Sequence, residues 1–304
     1  MKNSVGIKTF GKRPNNTRSL PSVRTEPTNL KTSTCLICKQ QSNAVFEARI
    51  LSKYPAQYFR CTQCGFIQTE KPHWIGEAYE SAITSLDVGM VRRNLDLAEV
   101  TEKVIDQNFA RGATFLDFAG GYGLFVRLMR DKGYNFFRQD KFCPNLFATN
   151  YDLTDLPSST RFELVTAFEV FEHLPDPCQE AQRMFELSDS VFFTTEIVPP
   201  SPIAQADDWW YFAPETGQHI SFFSTKALEI LAAQLNCYLW TNRVTTHLLT
   251  RRKLKTDPFA SSGGRFSRVL DRAMREFGYR QHPPLKSLIE DDYEFAKKKA
   301  RGLK

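Results

Sequence analysis

Four of the seven cysteines stand in two close pairs, Cys35-Leu-Ile-Cys38 and Cys61-Thr-Gln-Cys64, with 22 residues between them. A Cys-x-x-Cys turn aims two thiolates at one point, and two such turns complete the tetrahedral sulfur shell that zinc prefers. Gly65, directly after Cys64, suits the close backbone approach to sulfur in such a turn, because glycine tolerates a positive φ. The shell is closed, so the expected metal is structural rather than catalytic. Cys143, Cys178 and Cys237 are scattered and read as small packing residues.

A second group of residues belongs to a different chemistry. The segment Thr114-Phe-Leu-Asp-Phe-Ala-Gly-Gly-Tyr-Gly-Leu-Phe passes from an apolar run through small residues into a helical pattern. That sequence brings backbone amides and a helix N-terminus up to a bound cofactor. A dinucleotide fingerprint G-x-G-x-x-G fails here: counted from Gly121 and Gly123, its last glycine falls on Val126, and counted from Ala119 and Gly121, on Leu124. A D-x-G-x-G-x-G pattern is met by Asp117, Ala119, Gly121 and Gly123, with only the first glycine replaced. Asp140 follows at the end of the next predicted strand, where a carboxylate can accept hydrogen bonds from ribose hydroxyls.

Two further places offer acids and bases. Glu172-His173 precedes Leu-Pro-Asp-Pro, a run that reads as a loop into a helix capped by Asp176, with Pro177 at the first helical position. Trp209-Trp-Tyr-Phe-Ala-Pro-Glu-Thr-Gly-Gln-His219-Ile-Ser-Phe-Phe-Ser combines clustered aromatics with one histidine. It is long for a connection, which favours a binding loop, and a histidine's pKa near neutrality suits proton abstraction. Core packing of the aromatics, with His219 as a cap, is the competing explanation.

The elements that must position these groups follow from periodicity. Val91 to Phe109 has the apolar spacing of an amphipathic helix. Beyond it, strands are predicted at 113–118, 135–139, 163–168, 190–195, 237–242 and 244–249, with helices at 124–131, 177–187 and 225–235. Alternating strands and helices imply an α/β fold with a largely parallel sheet covered on both faces. Residues 1–33 lack periodicity and are rich in Asn, Thr, Ser and basic side chains, the composition of a disordered leader. The expected division is a basic leader at 1–33, a zinc-binding module at 34–75, a cofactor-binding domain at 76–250 and a basic helical or flexible extension at 251–304.

Across 304 residues the composition is 41% hydrophobic and 24% charged, close to a globular average, which argues against collagen, coiled coil and wholesale disorder. No apolar run approaches the ~18 residues needed to span a bilayer, and no h-region marks a secretion signal. A cytoplasmic protein is expected. The net charge of +6 is uneven: residues 1–33 carry +6 and 251–304 carry +8, leaving the middle at −8. Basic ends can touch nucleic acid or acidic lipid, but they are more often merely solvated.

The glycine loop, Asp140 and the run Phe-Glu-Leu-Val-Thr-Ala-Phe-Glu-Val-Phe-Glu-His-Leu-Pro-Asp-Pro at 162–177 together resemble class I S-adenosylmethionine-dependent methyltransferases, over about Val91 to Leu249. The resemblance implies a Rossmann-like, doubly wound, mostly parallel seven-stranded sheet, preceded here by a small zinc-ribbon-like module. It also implies that Asp117, Ala119, Gly120, Gly121 and Gly123 hold the methionine part of S-adenosylmethionine and that Asp140 holds the ribose. Phe168 and Glu169 would line the cofactor cleft. Ala119 stands where the family has a glycine. The four-cysteine module in this order resembles the zinc-binding region of sugar C-methyltransferases and related enzymes of surface-glycan and polysaccharide biosynthesis, which implies a nucleotide-linked sugar or glycan precursor as acceptor. His219-Ile-Ser-Phe-Phe-Ser resembles the motif whose histidine is implicated as the base in those enzymes. Their Tyr and Glu are replaced by Thr216 and Gln218 here, so transfer to carbon, oxygen or nitrogen all stay open.

Two function classes compete on these residues. One is a methyltransferase with a structural zinc held by Cys35, Cys38, Cys61 and Cys64. The other is a zinc-ribbon nucleic-acid-binding protein whose cofactor cleft is vestigial. The second requires basic residues interleaved with aromatics in the cysteine module. Residues 34–70 carry only Lys39, Arg49, Lys53 and Arg60 against Glu47 and Glu70, which favours the enzyme and no nucleic-acid partner.

Overall fold

The computed structural model describes residues 31–80, 84, 86–260 and 282–302. Four antiparallel strands come first: β1 (Thr32–Thr34), β2 (Gln41–Ile50), β3 (Tyr54–Cys61) and β4 (Ile67–Thr69). A single helical turn, α1 (Ile75–Ala78), and a long helix, α2 (Met90–Asn108), lead to an alternating stretch. That stretch runs β5 (Thr114–Phe118), α3 (Leu124–Asp131), β6 (Asn135–Gln139), β7 (Leu164–Ala167), α4 (Pro177–Leu187) and β8 (Ser190–Thr194). It continues through β9 (Ser221–Phe222), α5 (Thr225–Gln234), β10 (Tyr238–Thr241) and β11 (Thr246–Thr250), and the last described element is α6 (Ile289–Ala300).

The main sheet has the order β10-β11-β8-β7-β5-β6. Its β6, β5, β7 and β8 run parallel, while β11 joins β8 antiparallel and forms a hairpin with β10. β7 and β8 are buried along their whole length, as parallel strands covered on both faces must be. Alternate side chains divide the sheet into two cores. Phe115, Leu164 and Phe192 face α2 and α3 with Phe125, Val126 and Met129; Leu116, Val165, Val191 and Phe193 face α4 and α5 with Phe185, Leu228 and Leu231. This is the doubly wound α/β arrangement expected from the alternation of strand and helix patterns.

The expected seven strands are six among the described residues. Beyond β6, where an outer strand would lie, there is only an isolated parallel bridge from Arg138 to Asp152. Asp152 commits its side chain to Arg138 Nε at 2.7 Å and to starting a short 3-10 turn at Leu153–Asp155, which stops the extended backbone there.

The N-terminal strands form a second sheet, β1-β2-β3-β4-β9, whose last member comes from a distant part of the chain. Ile67 pairs with Phe222 and Gln68 with Ser221. β1 begins at Thr32, inside the stretch read as a leader, whose remainder at 1–30 lies outside the described residues. The extension expected at 251–304 contains α6, with 261–281, 303 and 304 likewise outside them.

Candidate active site and cysteine cluster

β5 delivers Asp117 to the buried end of the sheet, and the chain then turns sharply. Ala119 (φ 55°), Gly121 (φ 54°) and Gly123 (φ 87°) all lie in the left-handed region, which explains the small residues. Gly123 caps α3. A Cβ at Gly120 would stand 2.4 Å from Asp117 Oδ2 and 3.0 Å from Arg138 Cγ, so no side chain fits there. At Gly121 a Cβ would meet nothing within 4 Å, so the open side of the loop lies at that residue.

Asp140, at the tip of β6, holds the loop from beneath. Its Oδ2 accepts from Gly121 N–H at 2.9 Å, and its Oδ1 accepts from Phe142 and Cys143 N–H at 2.7 and 2.8 Å. Asp117 is fully buried and accepts from the Thr166 hydroxyl at 2.7 Å. Burial, with a smaller push from Asp140, moves its carboxyl up to about 7. Arg138 ties these pieces together: its guanidinium donates to the carbonyls of Gly121 and Cys143 and to Asp152. Arg138 belongs to none of the motifs recognised in the sequence. Its signal was a charge beside Phe136 and Phe137 in an apolar strand, which is stable when buried only if fully partnered.

Phe168 and Glu169 follow β7, which is hydrogen-bonded beside β5. Phe168 packs edge-on against Phe125 and Phe192 at 5.0 and 5.2 Å. Glu169 has φ 54°, accepts from the Thr194 hydroxyl at 2.7 Å and lies 3.7 Å from Arg93. Thus Asp117, Ala119, Gly120, Gly121, Gly123 and Asp140 form one cluster, and Phe168 and Glu169 leave the neighbouring strand.

His219 sits with different partners. The residues before it are mostly core: Trp209, Tyr211 and Phe212 are buried with Tyr58 and Phe222, and of the aromatics at 209–212 only Trp210 is exposed, at 72%. Short β9 follows, so the segment is a crossing between the two sheets rather than a free loop. Ile220 N–H donates to the Glu172 carbonyl at 2.8 Å and Ser221 Oγ–H to the Leu174 carbonyl at 2.7 Å, which draws His219 beside Glu172 and His173. The imidazole centroids of His173 and His219 are 4.9 Å apart. His219 Nδ1 lies 2.6 Å from the Tyr211 carbonyl, and His173 Nδ1 lies 3.1 Å from the Gln218 carbonyl. A carbonyl only accepts, so each Nδ1 carries the proton and each Nε2 keeps a lone pair. Burial pushes His173 down to about 3 and His219 down to about 4. Burial, reinforced by Glu169, raises Glu172 well above the usual carboxylate range. Asp176 caps α4 as expected, accepting from Gln179 N–H at 3.0 Å with Pro177 at the helix start.

The two cysteine pairs converge. Cys35 and Cys64 Sγ are 3.6 Å apart and Cys38 and Cys61 Sγ 3.3 Å; all four sulfurs lie within 4.8 Å of one another. These separations are too long for disulfides and close to the edges of a tetrahedron with ~2.3 Å metal–sulfur bonds. The two turns share a backbone device: the residue after each second cysteine, Lys39 (φ 61°) and Gly65 (φ 73°), is left-handed. Gln63 and Cys64 N–H groups both point at Cys61 Sγ at 3.4 Å. The first turn is fastened to the main domain, where Gln234 donates to the Ile37 carbonyl at 2.9 Å. The cysteines therefore share a core with α4 and α5.

Residues 92–242 match a family model described as a methyltransferase domain. A search of curated proteins gave no match. Among solved structures, the chain is similar to a methyltransferase of calicheamicin biosynthesis in its SAH-bound form, at 12% identity and TM-score 0.36, covering 52% of this chain and 55% of that one. It is also similar to an O-methyltransferase family protein from Burkholderia thailandensis, at 14% identity and TM-score 0.39, covering 54% and 57%. A third is the plantazolicin methyltransferase in complex with SAH, at 11% identity and TM-score 0.38, covering 59% and 94%. The chain thus spans 55% and 57% of the length of the first two. By the match over residues 92–242, the chain carries a methyltransferase domain.

Proposed function

We propose that the enzyme transfers a methyl group from S-adenosylmethionine to a small-molecule acceptor, and that the acceptor is a nucleotide-linked sugar or a related glycan precursor. The observation that carries the cofactor assignment is the turn after β5. Its left-handed residues and the side closed by Asp117 at Gly120 leave one open side, at Gly121, whose N–H is held by Asp140. Asp117 with the Ala119 to Gly123 backbone suits the methionine part. Asp140 suits the ribose, since each carboxylate oxygen accepts more than one hydrogen bond. Phe168 and Glu169 border the same cleft from β7.

S-adenosylmethionine supplies a methyl group on a positively charged sulfur, open to in-line displacement, so the protein's task is alignment and acceptor activation. Activation falls to His219, through the one lone pair that its bond to the Tyr211 carbonyl leaves free. The four cysteines hold a structural zinc, for which their convergence and the N–H groups aimed at Cys61 are suited. Four cysteines gathered as metal ligands rather than paired in disulfides suit a reducing, cytoplasmic setting. Among the described residues no helix is long and apolar enough to cross a membrane. The acceptor class rests on the four-cysteine module and the His219 motif. A product screen with isotope-labelled S-adenosylmethionine against a panel of nucleotide sugars tests it: label in one sugar supports the reading, and label only in unrelated acceptors overturns it.

A further inference from the structure

Glu172 is a buried carboxyl outside any ion pair with Lys or Arg among the described residues. It is 0% exposed, and neither carboxylate oxygen makes a well-formed hydrogen bond. A buried carboxylate without partners costs several kilocalories per mole and is kept only where something compensates it. The neighbouring cation, Arg93, is committed elsewhere: it pairs with Asp87 at 2.9 Å and lies 3.7 Å from Glu169. What does face Glu172, beside the Tyr211 hydroxyl, is a pair of histidines. Its Oε1 is 3.9 Å from His173 Nε2, and one ligand atom each from Glu172, His173 and His219 fall within 4.8 Å of one another.

The orientation of the two rings matters most. Each imidazole donates its Nδ1–H to a backbone carbonyl, which fixes the tautomer and leaves Nε2 with a lone pair for a cation. Backbone anchoring of the far nitrogen is the usual support of a metal-ligating histidine. The rings are half-buried and the carboxylate is fully buried, and the three ligand atoms converge on one point. We infer that Glu172, His173 and His219 form a second metal site, separate from the cysteines, which holds one divalent cation with open positions toward the acceptor. Two histidines and a carboxylate with vacant positions suit a first-row divalent ion in a catalytic rather than a structural role.

The inference rests on the methyl-transfer reading for its consequence and changes the part His219 plays. A cation there takes an oxygen of the acceptor, lowers the pKa of its hydroxyl and leaves His219 as a ligand. The hydroxyl proton passes to solvent water, and the O–C bond forms as the sulfonium S–C bond breaks. The acceptor atom is therefore an oxygen.

Mn2+ is the probe, because hard manganese prefers nitrogen and oxygen over four thiolates. The full chain, stripped of metal at the open site by mild chelation, is titrated with Mn2+ by calorimetry and by electron paramagnetic resonance, without cofactor or acceptor. One Mn2+ per chain is expected, retained in Cys61→Ser. Glu172→Gln and His173→Ala should weaken it by more than the ~10–100-fold that loss of an outer-shell partner costs. Mn2+ should raise the melting temperature of the wild type and not that of Glu172→Gln. In metal-free protein, Glu172→Gln should melt no lower than the wild type, since it replaces a buried carboxyl without well-formed hydrogen bonds by a neutral amide of the same shape. Absent Mn2+ binding in the wild type, or unchanged binding in both variants, overturns the site. A separate S-adenosylmethionine titration keeps the two readings apart: cofactor binding without Mn2+ binding sinks only the metal site, and the reverse sinks only methyl transfer.

Discussion

Gly120 and Gly121 are adjacent and chemically identical, yet the structure assigns them different consequences. In Gly120→Ala the new methyl group would lie 2.4 Å from Asp117 Oδ2 and 3.0 Å from both Asp117 Cγ and Arg138 Cγ. Neither neighbour can step aside freely. Asp117 is held by Thr166 at 2.7 Å, and Arg138 is held by Asp152 at 2.7 Å and the Cys143 carbonyl at 3.0 Å. Overpacking of this kind costs about 1–3 kcal/mol. Strain retained in the fold lowers the melting temperature by ~2–4 °C per kcal/mol at this size. Strain relieved by moving the loop appears instead as weaker cofactor binding, tenfold for each ~1.4 kcal/mol. Gly121→Ala meets no protein atom, so before cofactor is added its penalty is confined to the ~1–2 kcal/mol of a left-handed alanine, a conformation Ala119 already adopts next door. Its methyl points into the open side and should weaken S-adenosylmethionine binding by at least ~10-fold, the equivalent of one lost contact of ~1.4 kcal/mol. Thermal melts without cofactor and calorimetry with it, on both variants, separate the two effects. Wild-type melting and wild-type affinity in Gly120→Ala, or undiminished affinity in Gly121→Ala, would refute the geometry assigned to the loop.

Cys61→Ser should leave less than one zinc per chain by elemental analysis and lower the melting temperature, because metal binding and folding are linked in small zinc sites. On the base role given to it with methyl transfer, His219→Ala should lower turnover by ~10²–10⁴-fold, the usual contribution of a positioned base, with cofactor affinity in calorimetry nearly unchanged. Asp292 on α6 lies 2.6 Å from Arg130 Nη2 and 2.8 Å from Arg127 Nη1, and it accepts from the Tyr151 hydroxyl at 2.7 Å. Breaking this buried group of charges in Asp292→Asn should cost about 3–5 kcal/mol. Although burial opposes ionisation, its partners hold the Asp292 carboxyl below its ordinary range. The stabilisation is thus present above the unfolded-chain value near ~4 and lost as pH falls through the lower folded value. Denaturation of wild type and Asp292→Asn should therefore differ at pH 7 and converge in acid, and a gap that persists unchanged at pH 2 would count against the pair.

Local signals account for most of what could be foreseen. The predicted helices at 124–131 and 177–187 and the predicted strand at 135–139 match the structure residue for residue, since each is bounded by glycine, proline or a capping aspartate. The turn after β5 was foretold by its small residues and the convergence of the cysteines by their spacing, while the left-handed backbone of that turn was not. Non-local facts were not. Nothing near Ser221 announces that two residues will complete a sheet begun at Thr32, because pairing with Ile67 and Gln68 depends on where the intervening domain places both segments. The same crossing brings His219 into ring contact with His173, at 4.9 Å, where the sequence suggested only opposite sides of one cleft mouth. The aromatic cluster at 209–212 misled for a related reason: buried and ligand-facing aromatics have the same composition. The seventh strand was an expectation from the resemblance, and the polar commitments of Asp152 replace it with a bridge.

The central claim is that the turn from Asp117 to Gly123, with Asp140, binds S-adenosylmethionine. Titration calorimetry of the purified full chain with S-adenosylmethionine and, separately, with NAD addresses it without knowledge of the acceptor. Saturable binding of one S-adenosylmethionine per chain, displaced by S-adenosylhomocysteine, weakened in Asp140→Ala and unaccompanied by NAD binding, is the expected result. Binding of NAD with no response to S-adenosylmethionine would contradict it.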